Sequence, residues 1–217
     1  MRPLNFYPTF LVLFICSICG VSRGQIGTGW VEVYPKKTIQ IRGAGGFETA
    51  NGVEQFSVTN ALRTGDQRAE QRVWNDYSSG THQFEGYLKV TRLDGTFINL
   101  KQTFKSKEGP WFLCTIDPAA NGTLRDHSRG TILATNVLGR SVRLNTIHDT
   151  TANCLYVYVD GTLMETRIGE AGATYNDKYG AYRAISGNGP AAAEWSGVRF
   201  WEDGTTNAAI ADVSVSP

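Results

Sequence analysis

The chain has 217 residues and carries 21 Lys and Arg against 20 Asp and Glu, for a net charge of +1. Nucleic acids and anionic membranes bind proteins with an excess of basic residues, so this balance argues against both as partners. Any recognition of an anion must therefore be local. A chain of this length is most economically one domain with one core, and we expect a monomer.

The N-terminus has the pattern of a secretory signal peptide. Arg2 precedes an apolar stretch from Phe10 to Ile18, and small residues follow before Gln25. This stretch is shorter than the roughly 20 apolar residues that span a bilayer. We therefore predict that residues 1–24 are removed and that residues 25–217 form a single secreted, extracellular domain.

Cleavage of the signal peptide would remove Cys16 and Cys19 and leave Cys114 and Cys154. Two cysteines in an oxidising compartment most simply form one disulfide, which would add roughly 2 to 4 kcal/mol of stability. A zinc site is disfavoured because these cysteines have no CxxC spacing and no nearby His pair. Asn121 begins an Asn-Gly-Thr sequon, which predicts a glycosylated surface turn.

Most of the chain consists of short runs, rich in β-branched and aromatic residues, that alternate apolar with polar positions. Asp160-Gly161, flanked by two such runs, is a strong hairpin signal, and Asp94-Gly95 predicts a second hairpin. This pattern predicts an all-β fold, a two-sheet antiparallel β-sandwich of the jelly-roll, concanavalin-like type with a concave binding face. The predicted strand segments are 31–35, 38–43, 54–60, 69–76, 82–93, 96–105, 110–117, 130–137, 141–149, 153–168 (a hairpin), 178–186, 194–203 and 211–217.

One predicted strand carries a row of charges. Arg68, Glu70 and Arg72 stand at alternate positions, so on a strand they project from one face. Such a row is either a solvated face on which the carboxylate bridges two guanidinium groups or part of a cleft that holds an anion.

The run 99–104 places an amide among apolar side chains. By strict alternation, Gln102 shares its face with Leu100 and Phe104, whereas Lys101 points the other way. A glutamine in this position either bonds to the backbone at the edge of the core or offers a neutral donor to a carboxylate.

A late strand places a tyrosine beside small residues. Tyr182 shares its predicted face with Gly180 and Lys178, while Tyr179 and Arg183 lie on the other face. The missing side chain at Gly180 leaves room for a ligand to reach the phenol, although ordinary aromatic packing would also fit this pattern.

In this order, the three segments resemble the motifs of jelly-roll polysaccharide lyases. The alginate lyases of polysaccharide lyase family 7 carry an R-x-E-x-R strand, a Q-[IV]-H strand and a Y-x-K-x-G-x-Y-x-Q strand. Asn176, Ala184 and Phe104 depart from the outer Tyr, the Gln and the His of these motifs. The lost histidine, the small size and the stretch YSSGTHQFEG make the glucuronan lyases of family 20 look closer. The matching positions are Arg68, Glu70, Arg72, Gln102, Lys178, Gly180 and Tyr182.

The resemblance implies a lyase that cleaves a uronate polymer, such as glucuronan or an alginate-like chain, by β-elimination. Tyr182 would serve as base, acid or both, and Arg68 or Arg72 together with Gln102 would neutralise the carboxylate beside the C5 proton, with Glu70 holding the guanidinium groups in position. His82 is the candidate for the missing histidine, because His127 falls in the predicted glycosylated loop region. The implied substrate-binding residues are Arg68, Glu70, Lys178, Tyr179, Arg183 and Lys101.

This mechanism requires no cofactor, since Arg and Gln can neutralise the carboxylate. Related jelly rolls often carry a structural calcium ion on the convex side. Glu48 and Asp212, near the two ends of the mature chain, are the candidate ligands.

Two other classes of protein would use the same fold. A non-catalytic, lectin-like module would bind carbohydrate without needing Tyr182 as a base. A glycoside hydrolase would need two carboxylates roughly 5 to 10 Å apart, for which Glu85 and Glu194 are the candidates. The aromatic residues on which a lectin-like module would stack sugars are Tyr77, Tyr179, Trp74 and Trp201.

Overall fold

The computed structural model describes residues 29–59, 67–169, 172–183 and 187–204. The predicted signal peptide, Asp212 and the predicted strand 211–217 lie outside the described residues, so these predictions stay open. Among the described residues, no helix is long and apolar enough to cross a membrane.

Strands dominate the described part of the chain, and a single 3₁₀ turn at Ala119–Asn121 interrupts them. The strands are β1 (Trp30–Val33), β2 (Lys37–Arg42), β3 (Gly45–Ala50), β4 (Val53–Val58), β5 (Gln67–Val73), β6 (Thr81–Leu93), β7 (Ile98–Lys105), β8 (Gly109–Asp117), β9 (Thr123–Asp126), β10 (Ile132–Ala134), β11 (Ser141–Asp149), β12 (Cys154–Val159), β13 (Thr162–Ile168), β14 (Tyr175–Arg183) and β15 (Ala191–Asp203).

These strands form two antiparallel sheets. The eight-stranded sheet runs β13-β12-β11-β6-β15-β4-β3, with β1 paired to β15, and the seven-stranded sheet runs β10-β9-β8-β7-β14-β5-β2. Their facing sides share one core, to which Phe56 and Trp195 contribute from the first sheet and Phe112 and Tyr179 from the second. The predicted two-sheet antiparallel β-sandwich is confirmed.

The two Asp-Gly pairs behave differently. Asp160 and Gly161 both have positive φ, 50° and 83°, and connect β12 to β13 in the predicted hairpin. Asp94-Gly95 is not a hairpin turn, because β6 and β7 belong to different sheets. The backbone N–H of Asp94 donates to the carbonyl of Pro190 at 2.8 Å, so this turn is anchored to another loop while the chain crosses between sheets.

Two strands carry no clear sequence signal. β3 begins with two glycines, and β9 has only four residues, with charges at its last two positions. Neither shows the apolar-polar alternation by which the other strands are recognised.

The pairing of β7 with β14 is irregular at one point. Tyr179 pairs with Lys101 and Tyr182 pairs with Asn99, so two residues of β14 oppose one residue of β7. Gly180, within this bulge, has a φ of 143°, and a Cβ there would lie 2.5 Å from the carbonyl oxygen of Ala69. Only glycine fits this position without strain.

The predicted Cys114–Cys154 disulfide is wrong. Cys114 is a free thiol, buried in the core, and burial raises its pKa to about 12. It lies on β8 of the seven-stranded sheet, whereas Cys154 begins β12 of the eight-stranded sheet. A count of two cysteines does not reveal that their strands join different sheets.

Asn121 ends the 3₁₀ turn and is exposed. Its side-chain amide donates to Oδ1 of Asn136 at 2.7 Å. Surface exposure is compatible with glycosylation, which remains a prediction.

Candidate functional site

A cleft of about 150 Å³ opens on the side of the seven-stranded sheet that faces away from the core. Strands β5, β7 and β14 form its floor, and β8 and the turn after β9 form one wall. The polar residues that line it are Arg68, Asn99, Gln102, His127, Lys178 and Tyr182, and the apolar ones are Phe97, Phe104, Pro110 and Leu113.

Strand register brings the polar residues together. Tyr182 pairs with Arg68 on β5 and with Asn99 on β7. Lys178, four residues before Tyr182 and on the same face of β14, pairs with Gln102. Three segments that are far apart in sequence therefore present their polar side chains to one small volume.

Glu70 holds these groups in position. Its carboxylate accepts hydrogen bonds from Nη1 of Arg68 at 2.9 Å and from Nε2 of Gln102 at 2.7 Å, and Nζ of Lys178 lies 4.0 Å away. Glu70 pairs with Gly180, which has no side chain to separate it from Gln102 on the next strand. Glu70 itself is buried, so it orients donors rather than offering an open acceptor.

Two cations line the cleft, one over its tyrosine and one over its phenylalanine. Cζ of Arg68 lies 4.6 Å from the centre of the Tyr182 ring. Nζ of Lys178 lies 4.1 Å from the centre of the Phe104 ring. A negatively charged group that entered the cleft would meet both cations.

Asn99 was missing from the residues predicted by sequence. Its Oδ1 accepts a hydrogen bond from Oγ1 of Thr115 at 3.1 Å, whereas its buried Nδ2 has no hydrogen-bond partner among the described residues. Strict alternation put Asn99 and Gln102 on opposite faces, but the irregular pairing of β7 with β8 between Asn99 and Lys101 brings both to the cleft.

His127 was also missed, because its loop was expected to lie elsewhere. It follows β9, a strand without sequence signal, and its backbone N–H donates to the carbonyl of Leu113 at 2.9 Å. This bond holds the turn against the cleft, where the imidazole lies 5.5 Å from the Phe97 ring. No pattern in the sequence distinguishes His127 from a loop histidine.

Two residues predicted as catalytic lie outside the cleft. Arg72 shares a face with Arg68, but its Nη2 pairs with Asp76 at 2.7 and 2.9 Å and its guanidinium covers the Trp74 ring. His82 lies on β6 of the other sheet, where it stacks on Tyr77 at 3.8 Å and its Nε2 lies 2.7 Å from the carbonyl of Ser79.

Three residues predicted to bind substrate face the interior, and that prediction is wrong for them. Lys101 is fully buried, with Nζ 2.9 Å from Asp177, and burial lowers its pKa against the opposing effect of Asp177. The hydroxyl of Tyr179 donates to Glu54 at 2.5 Å. Arg183 is buried and donates to the carbonyl of Asn188. Strict alternation already placed all three opposite the cleft residues, Lys101 opposite Gln102 and the other two opposite Tyr182.

The residues named for other functions do not converge on this cleft. Glu85 and Glu194 lie on the eight-stranded sheet, and because Glu194 pairs with Lys89 they are about 13 Å apart along the strands. Tyr77, Tyr179 and Trp201 are buried, whereas Trp74 is exposed.

The candidate metal ligand Glu48 is exposed on β3. Within the described ranges, no group of three or more His, Cys, Asp or Glu side chains is arranged to hold a metal ion. The second candidate, Asp212, lies outside those ranges, so the calcium site stays a prediction.

No protein-family model and no curated protein sequence matches the chain, but solved structures do. The marine family 7 alginate lyase AlyA1 from Zobellia galactanivorans superposes with a TM-score of 0.61 at 12% identity, over 80% of this chain and 95% of that one. The alginate lyase from Corynebacterium sp. gives 0.60 at 14% identity, over 71% and 79%. The chain has the jelly-roll fold of the family 7 alginate lyases.

This family 7 fold does not by itself fix an activity. A sialidase also superposes, with a TM-score of 0.58 at 11% identity, over 76% of this chain but only 16% of the sialidase. Function must therefore be argued from the residues in the cleft.

Proposed function

We propose that the protein is a polysaccharide lyase that cleaves a uronate polymer, such as glucuronan or an alginate-like chain, by β-elimination. The observation that carries the proposal is the convergence of Arg68, Gln102 and Tyr182 in one cleft outside the core. The lyase fold of the structural neighbours supports it. The signal-peptide pattern supports a secreted enzyme, which would meet such polymers outside the cell.

In β-elimination the C5–H and C4–O bonds break and a C4–C5 double bond forms. The barrier is the negative charge that builds on the C6 carboxylate and C5 as the proton leaves. Arg68 would neutralise this charge, and Gln102 would donate to the carboxylate, because an amide NH₂ has two N–H groups and Glu70 takes one of them.

Tyr182 would move the proton. Its phenolate would take the C5 proton, and the phenol would then return it to the departing O4, so that no net proton is consumed. Arg68 and Lys178 bring positive charge into the cleft in which this proton transfer would take place. Asn99 Nδ2 on the floor and the imidazole of His127 on the wall are further donors in the cleft.

A non-catalytic, lectin-like binding protein is the second candidate. It is favoured by Phe104, which stands where the family 7 motif has its histidine, with a lysine over its ring. In this case the same cleft would hold a uronate without transferring a proton.

Incubation of the protein with glucuronan, alginate, pectate and a neutral β-glucan tests the proposal. We expect ultraviolet absorbance from an unsaturated product with at least one uronate polymer and none with the neutral glucan. Gln102→Ala should weaken turnover and uronate affinity together, because the carboxylate is held in the ground and transition states alike. The matched control is Gln55→Ala, at an exposed position on the other sheet.

Binding of an oligouronate without product would favour the binding protein. If no uronate polymer is bound or cleaved, both candidates are overturned.

A further inference from the structure

A second pocket, of about 400 Å³, adjoins the cleft at Pro110, which lines both. We call it the cationic pocket. Its side-chain lining is Lys105, Glu108, Trp111, Arg129, Arg167 and Ile168.

The same segments build the cleft and the cationic pocket. On β7, Phe104 lines the cleft and the next residue, Lys105, lines the pocket; after β9, His127 lines the cleft and Arg129 the pocket. Phe104 and Lys105 point to opposite faces of β7, so the two volumes meet at Pro110, which lines both. A polymer that leaves the cleft over Pro110 would reach the cationic pocket next.

The lining has three cations against one carboxylate. Glu108 pairs with Lys105 at 2.7 Å but is largely exposed. Arg167 is fixed by Asp126 at 2.8 Å and Ser128 at 2.6 Å. Three cations therefore line the pocket against one carboxylate, and the acidic partners of Arg167 and Arg129, Asp126 and Glu165, lie outside the lining.

Arg129 is the cation best placed to bind a ligand. Its contacts are long: Nη1 lies 4.0 Å from Glu165, and Nη2 donates to the carbonyl of Ile168 at 3.4 Å. Its side chain is 44% exposed. A guanidinium with weak protein partners can turn to a carboxylate and form two parallel hydrogen bonds.

The remaining wall suits a sugar ring. Ile168 is 69% exposed, and the guanidinium of Arg167 lies 5.2 Å from the centre of the Trp111 ring, which fixes both side chains. A pyranose ring has apolar C–H surfaces that pack on such residues, and a uronate adds the carboxylate that the cations require.

We propose that the cationic pocket binds a uronate unit through its carboxylate and is a further subsite for the polymer whose cleavage site lies in the cleft. This inference rests on the proposed function. Arg129 is the specificity-determining residue: it binds the carboxylate, while Trp111 and Ile168 contact the ring.

Nuclear magnetic resonance of the wild-type protein tests the pocket without any turnover. Addition of glucuronate should shift the indole N–H signal of Trp111, and glucose should not. Arg129→Ala should abolish the shift. Arg140→Ala is the matched control, because Arg140 is similarly exposed and pairs with Asp160 far from this pocket. Equal shifts with inorganic sulfate would show a general anion site and overturn the proposal.

Oligouronates of different length test this inference separately from the proposed function. With Tyr182→Phe protein, to prevent cleavage, Arg129→Ala should weaken binding of a hexauronate by about 10-fold, the size expected for a charged hydrogen bond, and leave the affinity of the cleft itself for a diuronate unaffected. Lys105→Ala should act in the same direction. If hexauronate binding is unchanged, the subsite is overturned even if the cleft is active. A glucuronate shift at Trp111 in a protein with no lyase activity would overturn only the proposed function.

Discussion

Two lysines on neighbouring strands show how the two faces of the seven-stranded sheet differ. Lys101 points inward, is fully buried and pairs with Asp177 at 2.9 Å. Lys178 points to the cleft, where its Nζ lies 4.0 Å from the Glu70 carboxylate. A charge inside the sandwich is matched by a close partner and belongs to the scaffold. A charge on the outer face borders an open volume and can act on a ligand.

Two tyrosines of β14 show the same contrast. Tyr179 faces inward, donates to Glu54 and accepts from Lys37, and burial raises its pKa well above the ordinary value. Tyr182, three residues later, faces the cleft beside Arg68. Residue type alone therefore says little about role, whereas the face of the strand decides it.

The largest expected difference in stability is between the two lysines. Lys101→Met would leave the Asp177 carboxylate buried without its cation and should cost about 3 to 5 kcal/mol of unfolding free energy. Lys178→Met should cost about 1 kcal/mol, because Arg68 and Gln102 still bond to Glu70. Urea denaturation measures both. Equal losses would contradict the distinction between the faces.

A buried carboxyl gives the next largest effect, as a dependence of stability on pH. Burial, with Asp126 nearby, raises the pKa of Glu165 from 4.5 to about 7. Between these values the folded state keeps a proton that the unfolded state has lost, so stability should fall as pH rises from about 4.5 to 7. The loss should be on the order of 1 to 3 kcal/mol.

Glu165→Gln removes this titration and should flatten that part of the stability curve. Glu48→Gln is the matched control, because Glu48 is exposed. Thermal unfolding across the same pH range is the measurement. An unchanged slope in Glu165→Gln would show that another group causes it.

The smallest effect is expected at Arg72. Its guanidinium pairs with Asp76. Arg72→Ala should therefore raise the activation free energy by no more than about 1 kcal/mol, which lowers turnover roughly fivefold at most. Arg68→Ala removes a donor from the cleft and should lower it by roughly 100-fold or more. Initial rates of unsaturated-product formation compare the two. A larger effect at Arg72 would move the site along β5.

Sequence periodicity predicted the parts of this molecule in which alternation is regular. β5 follows it throughout, so Arg68, Glu70 and Arg72 share a face as expected. It failed in β7, where the irregular pairing with β8 between Asn99 and Lys101 brings Asn99 beside Gln102 in the cleft. A bulge adds one residue to a strand, and nothing in the run 99–104 marks it.

The neighbours of each strand within and between the sheets were also beyond prediction from the sequence pattern. The disulfide between Cys114 and Cys154, the placement of His82 and the omission of His127 all depended on which strands are neighbours. Strand pairing is set by long-range packing, which a local pattern does not encode. That Gln102, Lys178 and Tyr182 share a site could be predicted only from the resemblance to a known family, which carries this long-range information.

Removal of one hydroxyl at each position tests most directly the proposed division of roles, in which Tyr182 acts on the substrate and Tyr179 holds the scaffold. Turnover and unfolding free energy are measured for Tyr182→Phe and Tyr179→Phe. Tyr182→Phe should lose about 100- to 10,000-fold in turnover with little change in stability. Tyr179→Phe should lose about 1 to 3 kcal/mol of stability, because half-buried Glu54 loses a donor, and keep its turnover. An active protein whose Tyr182→Phe form keeps full turnover would contradict the account.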